Sequence, residues 1–176
     1  IPVMKYNTST YYIPILHPVS LPTDCELIKI EHTNIHILTD YLYNMAHNNY
    51  ENTENMFDMC IMQDTSYYLS QIKAGIIHIF CLRQKEHVYG LYFFKNTYTE
   101  YEDIEGNVLM FSTSIKNMND NNVYYSGFIN SMYKVLTEKQ NKYKMLMIEN
   151  IGHNNHIIPL WETYNRPIFE NKTAYY

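Results

Sequence analysis

Residues 107–148 read NVLMFSTSIKNMNDNNVYYSGFINSMYKVLTEKQNKYKMLMI, and the fold turns on them. The opening, Asn107 to Ile115, is rich in β-branched and aromatic residues and predicts a strand. From Tyr124 to Lys139 the residues Tyr125, Phe128, Ile129, Met132, Tyr133 and Leu136 fall on one face at helical spacing. Tyr143 to Ile148 is a short apolar strand that follows. Strand, helix and strand in this order predict a parallel pair joined by a right-handed crossover.

Upstream, Ile76 to Leu82 and His87 to Lys95 read as strands joined through Arg83 to Glu86, a hairpin-length loop. A polar excursion with Glu105 and Gly106 separates the second of them from Asn107. Before these strands, Asp64 caps a helix to Ala74 that Gly75 stops, and Asn52 to Gln63 reads as a turn or short helix. Thr33 is the expected N-cap of a helix over Asn34 to His47, with Ile35, Leu38, Leu42 and Met45 on one face. Glu26 to Glu31 is a short strand. Residues 1–24 hold Pro2, Pro14, Pro18 and Pro22 without periodicity, so they read as an extended arm or linker, and residues 25–176 as one α/β domain. Downstream, Ile157 to Tyr164 predicts a helix with Pro159 in its first turn, followed by a last strand near Thr173.

The length, 176 residues, suits a single domain with a sizeable core. A net charge of −5 without a basic block leaves nothing to neutralise phosphates, so nucleic acid is not an expected partner. No apolar run approaches the ~20 residues of a membrane span, and the first residues lack a signal-peptide pattern. Cys25, Cys60 and Cys81 are odd in number and far apart, which argues against a disulfide framework and for a reducing, cytoplasmic compartment.

Candidate chemistry gathers at two loops. Lys116 to Val123 has no glycine and contains Asp120, so close approach of a diphosphate to its backbone is disfavoured and an ordinary polar loop is expected. Glu149 and Asn150 end the crossover strand, at the carboxyl edge where open α/β sheets bind ligands; capping of the next loop is the competing reading. His153 and His156 have a spacing that a metal could use on a helix, but Gly152 and the neighbouring asparagines predict a loop and no metal site. Cys60 and Cys81 have no catalytic neighbourhood, and Cys81 reads as a small buried hydrophobe in a strand. Tyr89, Tyr92, Phe93, Phe94 and Tyr98 could line a groove, although strand aromatics more often fill a core.

The order of elements resembles the GNAT (acyl-CoA N-acyltransferase) fold, a mixed, largely antiparallel sheet flanked by helices. Within it, VYGLYFFK at 88–95, LMIENIGHN at 146–154 and NKTAYY at 171–176, with Leu21-Pro22 and Leu27 to Ile35, resemble the C-terminal half of the glycylpeptide N-tetradecanoyltransferases (N-myristoyltransferases). That resemblance implies the peptide-binding half of an enzyme moving myristate from myristoyl-CoA to an N-terminal glycine, incomplete or inactive alone. It also implies a peptide or protein N-terminus as partner, a first half that binds myristoyl-CoA, and no cofactor held by this chain alone. The family's base is its terminal main-chain carboxylate, so no catalytic side chain is assigned here. A serine of the family's strand falls at about Phe93, and Phe93, Phe111 and Asn150 are the positions implied to lie near the groove. A stand-alone GNAT N-acetyltransferase and a non-enzymatic interaction domain with a GNAT-like fold are the alternatives.

Overall fold

The computed structural model describes residues 4–41, 64–101, 104–116, 119–140, 142–150 and 152–175. They comprise β1 (Met4–Tyr12), β2 (Cys25–Lys29), β3 (Ile77–Gln84), β4 (His87–Tyr101), β5 (Ile104–Ile115), β6 (Met145–Glu149) and β7 (Phe169–Tyr175). The helices are α1 (residues 35–41), α2 (Thr65–Lys73), α3 (Asn121–Glu138) and α4 (Ile158–Glu162), with 3-10 turns at His32–Asn34 and Gly152–His156. Residues 42–47 of the first expected helix, the 52–63 stretch and Cys60 lie outside the described residues. No helix among those described is long and apolar enough to cross a membrane.

Local chemistry sets the element ends. The Asp64 carboxylate accepts from the Tyr67 amide at 2.8 Å and starts α2, and Gly75, at φ 69°, ends it in the left-handed region that a side chain would resist. The first helical turn after β2 is held by Asn34 rather than Thr33. Its amide oxygen accepts from Glu31 N at 2.6 Å while its Nδ2 donates to Lys29 O at 2.9 Å.

One sheet runs in the order β2-β3-β4-β5-β6-β1-β7. Its pairs are antiparallel except β5 with β6, the parallel pair demanded by the crossover through α3. The β4–β5 hairpin is longer than the expected strands, because the polar excursion stays paired out to Tyr101 opposite Ile104. Thr97, Tyr98, Thr99 and Tyr101 are strand formers despite their polarity.

The N-terminal stretch corrects the reading of residues 1–24 as an arm outside the domain. Residues 4–12 are extended, but they form β1, inserted between β6 and β7 with Thr8 opposite Glu149 and Thr8 opposite Asn171. The pairing partners lie more than a hundred residues away, and nothing local in the prolines announces them.

Each sheet face carries its own core. Phe80, Tyr92, Phe94, Leu109, Phe111, Leu146 and Ile148 pack with Phe128 and Met132 of α3 and Trp161 of α4. Ile79, Cys81, Leu91 and the half-buried Phe93 face the other way, against Leu38 and Tyr41 of α1 and Tyr68 of α2. Aromatic rings knit the first core: Phe128 lies 4.6 Å from Phe111 and 5.6 Å from Trp161, centroid to centroid, the second contact edge-on.

Helix α3 approaches the sheet through Gly127. A Cβ there would sit 2.2 Å from the Tyr92 hydroxyl, which donates to Tyr124 O at 2.8 Å in the buried interior. Gly127→Ala must therefore push the tyrosine ring aside and break that bond. Urea unfolding should show a loss of about 1–3 kcal/mol with an unchanged m-value.

Candidate functional site

Parallel strands β5 and β6 stay in register for four pairs, Val108–Phe111 against Met145–Ile148. Beyond these, β5 continues beside β4 to Ile115 while β6 ends at Glu149, so the two strands part at their carboxyl ends. Such a parting is where an open α/β sheet offers a crevice. Backbone groups on the inner edge of β5 need partners there.

The 3-10 turn Gly152–His156 supplies them. Asn154 is 3% exposed, and its Nδ2 donates to Phe111 O at 3.3 Å and to Glu149 O at 2.8 Å, bridging the two strands. Four residues further along β5, the Ile115 amide donates to His153 Nδ1 at 2.9 Å. That bond occupies the Nδ1 lone pair a metal would use and places the ring proton on Nε2. The His153 and His156 ring centroids are 6.3 Å apart, and no group of three or more metal-ligating residues stands together among the described residues.

By strand parity the half-buried Glu149 at the end of β6 and the exposed Ser112 of β5 share the sheet face bearing α1 and α2, and the cross-strand partner of Ser112 on β4 is Phe93. Burial pushes the Glu149 carboxyl up from its ordinary value. Phe93 leans on Tyr68 at 6.4 Å between ring centroids. Phe111 pairs with Phe94, so its side chain enters the opposite core, while its carbonyl is the one Asn154 holds. Asn150 is exposed, and its amide donates to Asn7 O at 2.7 Å, tying the end of β6 to β1. The structure thus gathers Phe93, Ser112 and Glu149 on one face, keeps Asn150 at the edge, and turns the Phe111 ring away. Sequence reasoning passed over Ser112 and Asn154. An asparagine in an Asn-rich loop gives no signal of burial, and the face of Ser112 depends on hairpin register.

At the other loop, Asp120 is the N-cap of α3. Its Oδ1 accepts from the amides of Asn122 at 3.0 Å and Val123 at 3.4 Å. These are N–H groups that an uncapped helix would leave for an anion. A phosphate arriving here would meet a carboxylate, so the residues present do not fit a coenzyme A diphosphate at this position.

No protein-family model matches the chain, and no curated protein matches it. Solved structures do. A predicted acetyltransferase from Clostridium acetobutylicum, determined with acetyl-CoA, aligns at TM-score 0.54 and 10% identity over 80% of this chain and 88% of that one. An aminoglycoside acetyltransferase from an uncultured soil metagenomic sample, in complex with trehalose, aligns at 0.57 and 8% identity over 89% and 97%. Saccharomyces cerevisiae N-myristoyltransferase with bound myristoyl-CoA aligns at 0.54 and 11% identity over 99% of this chain and 48% of that enzyme. At such identities the likeness is one of architecture: the chain has the GNAT-like acyl-CoA N-acyltransferase fold, as its order of elements implied.

Two measurements check the site's construction. Asn154→Ala leaves the Phe111 and Glu149 carbonyls without that donor; it should cost about 1–3 kcal/mol and hasten amide exchange in Phe111–Ile115. A carboxyl whose folded pKa is raised contributes stability at acid pH that is lost as pH rises through that pKa. Glu149→Gln should therefore be more stable than the parent at pH 7, the gain shrinking as pH falls toward 4 in thermal melts across that range.

Proposed function

We propose that this chain is the peptide-side half of an N-myristoyltransferase-like acyltransferase, which presents an acceptor amine and leaves the acyl-CoA to another segment. The observation that carries the reading is Asp120: its carboxylate sits on the α3 amides where a diphosphate would otherwise be held. Two further features agree with it. The turn Gly152–His156 closes the parting of β5 and β6 with His153 and Asn154. The chain also aligns along nearly its whole length with about half of the yeast N-myristoyltransferase.

On this reading Phe93, Ser112, Glu149 and Asn150 border the acceptor groove, and Glu149 is the carboxylate best placed to hold an ammonium. The partners are a peptide or protein N-terminus and a myristoyl-CoA-binding first half.

A stand-alone N-acetyltransferase is the second reading. It draws on the parallel pair that parts at its carboxyl ends, and on the two acetyltransferases whose own lengths are matched almost throughout.

Calorimetric titration separates the two. The chain should give no saturable heat with myristoyl-CoA or acetyl-CoA up to about 1 mM, and no acylated product from a glycine-starting peptide. Saturable binding of acetyl-CoA with turnover would sink the first reading and establish the second.

A further inference from the structure

A second concavity lies at the amino end of α3. It holds about 200 Å³ and is lined by Pro22, Thr23 and Cys25, by Gln84 and Tyr89 of the β3–β4 hairpin, and by the N-cap Asp120 with Val123 and Tyr124 of α3. Asn119 completes the wall, and no lysine, arginine or histidine takes part in it.

Thr23 and Asn119 bring hydroxyl and amide donors to this space, while Asp120 and Tyr89 bring acceptors with capacity to spare. Asp120 uses Oδ1 for the helix amides, and no hydrogen bond engages Oδ2 among the described residues. The Tyr89 hydroxyl gives its proton to Gln84 Oε1 at 2.8 Å, which leaves its lone pairs for a donor. The Tyr89 ring, in edge contact with His87 at 4.6 Å between centroids, and the buried Tyr124 give the wall an aromatic character that favours a cation, and Pro22 and Val123 supply apolar wall. Asp24 adds negative charge close enough to help burial push the Cys25 thiol up. The amino end of α3 opposes a cation with roughly half a unit of positive charge. The full charge of Asp120 outweighs it.

We infer that this concavity is a binding site for a primary alkylammonium group, held between the Asp120 carboxylate, the Tyr89 hydroxyl and the aromatic walls. An anion would be repelled by Asp120, and a neutral apolar group would strand the acceptors of Tyr89 and Asp120. The assignment does not rest on the acyltransferase reading. An amine site at α3 and an acyl-CoA site elsewhere stand or fall separately.

Cys25 lines the pocket and is half-exposed, so its alkylation reports occupancy. The chain is treated with iodoacetamide in rising propylammonium chloride at fixed ionic strength, with sodium propionate as the charge-reversed control. Peptide mapping then follows Cys25 alone. Propylammonium should protect Cys25 saturably and propionate should not. Asp120→Asn keeps a good N-cap residue while removing the charge, and should weaken protection about tenfold or more. Thr23→Lys places a cation at the exposed rim without touching the cap, and should do the same. Absence of protection, equal protection by propionate, or an unchanged midpoint in both variants overturns the inference.

Discussion

Backbone groups that leave one strand pairing must find another partner, and this constraint organises the molecule. The parallel register of β5 and β6 lasts four pairs, and the edge of β5 beyond it would be bare without Asn154 and His153. Meeting that need fixes more than the crevice. The Asn154 carbonyl receives the Ile157 amide at 2.9 Å, the Ile157 carbonyl receives the Trp161 amide at 3.0 Å, and α4 is thereby aimed so that Trp161 meets Phe128 and Tyr11. A polar obligation at the sheet edge is transmitted into the apolar core. Tyr11 answers from β1, one strand in from the sheet's edge, its hydroxyl donating to Glu162 at 2.6 Å.

How much of this can be seen in a bare sequence depends on range. Helix α3 is legible because its stripe repeats within one element, and the crossover follows because strand and helix are contiguous. The caps at Asp64 and Asp120 are short-range chemistry as well, although the helix that Asp120 caps starts at Asn121, three residues before the expected start at Tyr124. Strand β1 is the opposite case. Its neighbours β6 and β7 come from the far end of the chain, and its Thr8, Ser9 and Thr10 offer no apolar alternation to declare a half-buried strand. Only tertiary pairing reveals that part of an apparent arm is a strand with neighbours on both sides.

The candidate site shows the same division. Which residues lie near the carboxyl edge of the crossover strand is readable, and Glu149 and Asn150 are there. Which side chains share a face is not, because parity follows from the register of β4 against β5, which runs out to Tyr101 opposite Ile104 in a polar stretch. Phe93 and Phe111 illustrate the cost: two aromatic residues with equal claims to a groove stand on opposite faces. For the α3 loop, the missing glycines gave a reason of flexibility against a diphosphate. The structure adds an electrostatic one, since an internal carboxylate already occupies the amides an anion would seek.

The pairing of β1 with β7 carries a mechanical consequence. Met4 stands opposite Tyr175, and the ladder runs inward from there to Thr10 opposite Phe169. Tension applied through Met4 and Tyr175 would load one rung at a time, so the corner opens like a zip fastener at low force. The parallel neighbours β5 and β6, pulled along their length, would resist in shear with all their rungs sharing the load. Anything tugging on those two residues would peel β7 away first and lay bare the flank of β1, long before the helices felt the strain.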